Sequence, residues 1–128
     1  MSARAKLLLP GLALAVGIAA GPGAAGPVVV RMTKDHRFDP QVVTIESGQD
    51  VVWTNEDESP HSVVADPLRV QERIDVVPPM PPEPFHSEDV PPGGSYRRGF
   101  SLEGVTRYVC GHDEQRGMNG TVIVGPRR

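Results

Sequence analysis

The feature that most constrains this chain is a series of short β-branched runs with turn residues at their boundaries and no sustained helical period. Val28 to Thr33, Val42 to Glu46 (VVTIE), Asp50 to Thr54 (DVVWT), His61 to Ala65 (HSVVA), Ser95 to Leu102, Val105 to Cys110 (VTRYVC) and Gly120 to Gly125 (GTVIVG) are bounded by Gly, Pro, Asn and Asp. Such runs read as strands. Seven of them within about 100 residues predict an all-β antiparallel sandwich or barrel. The prolines fall between the runs, which fits, because proline cannot donate to a strand ladder.

One stretch breaks the series. Residues 67–92 contain Pro78, Pro79, Pro81, Pro82, Pro84, Pro91 and Pro92. That density favours extended, unpaired backbone. Val70 to Val77 is compatible with a strand or with one helical turn. The stretch is expected to be a surface excursion joining the two halves of the sandwich, more a passive connector than a functional loop.

The start of the chain has a different character. Arg4 and Lys6 precede a 15-residue apolar run, Leu7 to Gly21, and a small-residue stretch, Gly21 to Gly26, follows. This is the layout of a secretory signal peptide. The run is interrupted by Pro10 and is shorter than the roughly 20 apolar residues of a membrane-spanning helix. The expected organisation is therefore a signal peptide over residues 1–25 and a single domain over 26–128. Cleavage after Ala25 has rivals at Ala20 and Ala24. Export to the periplasm or the extracellular space follows, with no stable membrane insertion after cleavage. The remaining chain holds 11 basic and 16 acidic residues, a net charge of −5. That balance argues against a nucleic-acid partner, which calls for a clustered basic face.

Cysteine usage is the first chemical clue. Exported proteins use cysteine mainly in disulfides, yet Cys110 is the sole cysteine. An odd cysteine suggests a reactive thiol, an intermolecular bridge or a metal ligand, against the plainer option of a buried structural thiol. Its neighbours favour the ligand. The segment Y-V-C-G-H-D-E-Q-R-G-M-N-G-T-V-I-V puts a thiol, an imidazole and a thioether on one loop between two strands, and His61 opens an earlier strand. Two histidines, one cysteine and a weak axial methionine make up the ligand set of a blue copper site. Soft sulfur donors favour Cu(I) and imidazole suits Cu(II), so such a set holds both oxidation states with little rearrangement.

The same residues resemble the cupredoxins, on the plastocyanin and pseudoazurin side. Phe38-x-Pro40-x-x-Val43-Thr44-Ile45, Gly48 and Val51-x-Trp53-x-Asn55 resemble the second and third strands of that family. Pro60-His61-Ser62-Val63-Val64 resembles the segment of the first histidine ligand. Pro91 to Phe100 resembles the strand before the ligand loop, and Tyr108-x-Cys110 with Gly117-Met118-x-Gly120 resembles the loop itself. The likeness spans Val28 to Val124 apart from the proline-rich stretch. It implies a Greek-key antiparallel β-sandwich, one copper ion cycling between Cu(I) and Cu(II), and His61, Cys110 and Met118 as ligands.

One position departs from the family pattern. Histidine normally stands three residues after the cysteine; here that residue is Asp113, and His112 comes one earlier. Residues i and i+2 of an extended chain share a face, so Cys110 and His112 can look the same way. His112 is therefore the preferred fourth ligand. Asp113 in that slot, or an altered site, stays open, since Gly111 permits an immediate turn. His36 and His86 have no comparable company and are expected to be non-ligands. Trp53 is expected to be core. The acidic run Glu56 to Glu58 reads as a solvated loop that could lie near the metal end, with Arg116 opposing it.

The expected function is one-electron transfer between protein redox partners by a monomeric, non-enzymatic carrier. A copper store or chaperone of the same fold is the alternative, although such proteins more often use methionine-rich or exposed Cys/His surfaces and only four methionines occur here. A copper-free binding module would leave Cys110 and Met118 without a role. Multicopper chemistry calls for more than the four histidines present.

Overall fold

In a computed structural model that describes residues 25–74, 78–112 and 117–128, nine strands and one helix build two facing sheets. In chain order they are β1 (Val28–Met32), β2 (Phe38–Asp39), β3 (Val42–Glu46), β4 (Gln49–Asn55), β5 (Val64–Ala65), α1 (Pro67–Ile74), β6 (Phe85–His86), β7 (Ser95–Phe100), β8 (Gly104–Val109) and β9 (Asn119–Gly125). One sheet has the order β3-β9-β8-β5-β6 and the other β2-β1-β4-β7. This is the all-β sandwich of the cupredoxin type that the sequence predicts. Each sheet also holds one parallel pair, β1 with β4 and β3 with β9. These arise because β1 and β3 lie in different sheets, so each pairs with a strand distant in sequence. The expected signal peptide lies, but for Ala25, outside the described residues.

Alternation sets the core. Val51, Trp53 and Asn55 of β4 point inward, as do Gly120, Val122 and Val124 of β9. Side chains two residues apart on a strand share a face, so β4 and β9 each contribute one buried row, whereas β5 and the end of β8 are buried on both faces. Trp53 is fully buried, and its ring meets Tyr108 of the opposite sheet edge-on at 5.4 Å. Phe85, Tyr96 and Phe100 surround it. The indole is thus the bridge between the layers, in keeping with its expected core role.

The proline-rich stretch differs from its expectation as an unpaired, passive connector. It begins with α1, two turns of helix. Asp66 caps it through Oδ1, which accepts the Leu68 N–H at 3.0 Å, and Pro67 occupies the first turn. An aspartate cap followed by proline is a strong helix start. Val70 is buried against Val64 and Val109, with Ile74 packed beside them one turn on. The stretch later supplies β6, which pairs with β5, and Ser87 bonds the Val63 backbone in both directions. It does join the two halves, running from β5 of one sheet to β7 of the other.

Candidate metal centre

Strand pairing brings the candidate ligands to one end of the sandwich. β8 and β9 form a hairpin in which Val109 faces Asn119, and at its mouth the Cys110 N–H donates to the Met118 carbonyl at 3.1 Å. β5 lies beside β8 with Val64 opposite Val109, so the residues just before β5 run alongside Cys110. There the Ser62 N–H points at Cys110 Sγ from 3.5 Å, and His61 Nδ1 stands 3.7 Å from the same sulfur. Cys110 and His61 are fully buried, and Met118 nearly so. Cys110 and Met118 belong to one apolar cluster with Tyr108 and Phe38.

The loop that delivers His61 is held from within. Asn55 is buried; its amide donates to the carbonyls of Ser59 and Val90, both at 2.9 Å, and its Oδ1 accepts the Asp57 N–H at 2.8 Å. His61 and Val90 exchange two backbone bonds. Buried amides of this kind are costly to leave unpaired, so the loop from Asn55 to His61 has one preferred path. On the far side of the ring, His61 Nε2 lies 2.9 Å from Asp57 Oδ2. Asp57 is the functional neighbour that sequence reasoning left within a solvated acidic run. Its carboxyl is held below the usual carboxylate range, first by the Glu58 N–H and then by the His61 ring. Glu56 of the same run pairs instead with Arg31 at 3.0 Å. Arg116 lies outside the described residues.

The ligand loop is clamped as well. Ser62 Oγ accepts the Gly111 N–H at 2.8 Å. Arg69 and Arg73 of α1 both donate to the Gly111 carbonyl, at 3.1 and 2.9 Å. The excursion therefore reaches the residue between Cys110 and His112. The Cys110 thiol is pushed up by burial, with the N–H groups of His112 and Ser62 pulling the other way. Those two donors aim at the sulfur and would stabilise a thiolate there.

His61 and Cys110 meet directly, and Met118 lies in the same buried apolar cluster as Cys110. The partly exposed His112 ring has its Nε2 2.9 Å from Asp89 Oδ1. Among the described residues, no group of three or more His, Cys, Asp or Glu side chains is arranged to hold a metal ion. Asp113, the alternative for the fourth position, lies outside the described residues. His36 and His86 pair with Asp57 and Asp66, respectively. The donors that meet are the His61 imidazole nitrogen and the Cys110 thiol, with the Met118 thioether in the same buried cluster as the cysteine, and their chemistry fits copper.

Comparison with known proteins gives the same answer. Residues 27–125 match the model of the copper binding proteins, plastocyanin/azurin family. The plastocyanin of Scenedesmus fuscus is 34% identical over 89 residues, which are 68% of this chain and 85% of that one. The crystal structure of amicyanin from Paracoccus versutus superposes with a TM-score of 0.58 at 28% identity, covering 77% of this chain and 80% of that one. A Cu-containing nitrite reductase from Thermus scotoductus matches with a TM-score of 0.62 at 29% identity, over 80% of this chain but only 23% of the reductase. The chain belongs to the plastocyanin/azurin family of copper binding proteins, and its cofactor is one copper ion.

Proposed function

We propose that the protein carries single electrons between protein partners through one blue copper site held by His61, Cys110, His112 and Met118. The observation that carries this reading is the buried approach of His61 Nδ1 to Cys110 Sγ at 3.7 Å. Bound copper supplies the redox couple. The chain supplies the rest. Burial keeps water from the sulfur, the N–H groups of Ser62 and His112 face it, and two packed sheets hold the donor strands. A fixed donor set changes little when an electron arrives, which suits transfer rather than turnover, and we read the chain as a carrier and not an enzyme. The amphiphilic start over residues 1–25 acts as an export signal in this reading. The domain over 26–128 then works as a monomer in the periplasm or outside the cell.

Visible spectroscopy tests the reading. The protein loaded with Cu(II) is expected to show an intense sulfur-to-copper charge-transfer band, lost in Cys110→Ser. A colourless loaded protein would overturn it in favour of a Cu(I) store or chaperone of the same fold.

A further inference from the structure

The imidazole of His61 is bonded on both sides, and its outer partner is itself shared. Asp57 Oδ2 lies 2.9 Å from His61 Nε2 and 3.3 Å from His36 Nε2. A carboxylate can only accept, so the hydrogen bond at His61 is donated by its Nε2–H, and His36 adds an electrostatic contact to the same oxygen. The other carboxylate oxygen takes the Glu58 N–H at 2.7 Å, and the Asp57 N–H is anchored on Asn55. The series runs outward by burial: the His61 side chain is fully covered, that of Asp57 is 9% exposed and that of His36 is 44% exposed.

His36 reaches this position from the turn between β1 and β2, which is closed by the Thr33 N–H on the Arg37 carbonyl and the His36 N–H on the Thr33 carbonyl. Its φ of 60° is in the left-handed region, uncommon for a residue other than glycine. The two histidine rings meet edge to face with centroids 5.7 Å apart. Two loops distant in sequence thus converge on the outer nitrogen of one proposed ligand.

We infer that Asp57, steadied by His36, is the positioning residue of the copper site. It fixes the His61 tautomer with the proton on Nε2 and the lone pair on Nδ1, toward Cys110. It also sets a negative charge behind the ring. This rests on His61 being a ligand. A carboxylate behind a ligating histidine orients the ring and makes it a stronger donor, and removing it typically weakens metal binding 10–100-fold. The added negative charge favours the more positive oxidised ion, so the native Asp57 lowers the reduction potential.

The experiment uses the full chain with three variants, Asp57→Asn, Asp57→Ala and His36→Asn. Asparagine at position 36 tolerates the left-handed backbone while removing the ring. Nitrogen-15 spectra of the copper-free protein read the His61 tautomer, and copper titration and voltammetry read affinity and potential. The expected results are an Nε2–H tautomer in the wild type and a higher potential in both Asp57 variants. Copper affinity falls about 10–100-fold in Asp57→Ala, while Asp57→Asn, which keeps an acceptor, retains the tautomer. His36→Asn moves the potential in the same direction by less. A proton on Nδ1 in the wild type, or an unchanged potential in Asp57→Asn with the visible band intact, overturns the inference and leaves the copper site standing. A wild-type protein that takes up no copper overturns both. Should Asp57→Ala fail to fold, the other two variants carry the test.

Discussion

Ser62 and Gly111 are joined by a hydrogen bond of 2.8 Å in which the serine hydroxyl accepts the glycine N–H. This bond ties the residue after His61 to the residue after Cys110, so the two segments that carry these proposed ligands are joined directly. A Cβ on Gly111 would stand 2.8 Å from that hydroxyl and 3.2 Å from Val64 Cγ2; the approach therefore requires glycine.

Ser62→Ala removes the acceptor and leaves the Gly111 N–H without it. The expected cost is about 1–2 kcal/mol, read by denaturant unfolding of the copper-free protein. The Ser62 N–H still faces Cys110 Sγ in this variant, so the visible band should persist with a changed energy. An unchanged stability would show that the bond does not hold the loop.

The Cys110 thiol gives the copper-free protein a pH dependence with a defined sign. Burial raises its pKa in the folded state, above the roughly 8.5 of an exposed thiol. The folded chain thus prefers the protonated thiol more strongly than the unfolded chain does. That contribution is fully present below about pH 8.5 and is lost as pH rises through the raised folded value. Copper-free protein should lose stability on the alkaline side, and Cys110→Ser should remove that component. Thermal unfolding between neutral and alkaline pH measures it; an identical alkaline slope in the two proteins would contradict the assignment.

Much of this was legible in the sequence. β3 follows VVTIE residue for residue, and the other main strands agree within a residue or two at most ends, because β-branched alternation and the turn residues between the strands act locally. His61 is the exception: it stands in an isolated bridge with Val90, before β5 begins at Val64. Cys110 and Met118 were legible through their spacing on one loop. The sequence left strand and one helical turn both open over Val70 to Val77, and the start of α1 at Asp66-Pro67, a cap followed by a first-turn proline, was obscured by the prolines further on. The sequence allowed the acidic run holding Asp57 near the metal end, but its pairing with His61 and His36 was not legible. The meeting of Asp57 and His36 at His61 joins the β1–β2 turn to the loop after β4, and no local pattern records that contact. The turn of the His112 ring toward Asp89 is likewise tertiary.

Gly120 marks another close approach. It pairs with Tyr108 across the β8–β9 hairpin, and a Cβ there would overlap the phenol ring. Tyr108 is fully buried, with its ring edge-on to both Trp53 and Phe38. Gly120→Ala should therefore destabilise the protein by about 3 kcal/mol, at the upper end of ordinary overpacking. Chemical denaturation reads this directly, and a change below about 1 kcal/mol would mean that the hairpin yields locally.

The central claim is a single copper ion held by His61, Cys110, His112 and Met118, and anomalous diffraction at the copper edge from crystals of the loaded protein tests it most directly. The account predicts one peak per chain, bonded to His61 Nδ1, Cys110 Sγ and an imidazole nitrogen of His112, with Met118 Sδ as the weaker fourth ligand. A peak without Cys110 and His61 among its ligands would contradict the site, and one completed by Asp113 in place of His112 would contradict the assignment of that ligand.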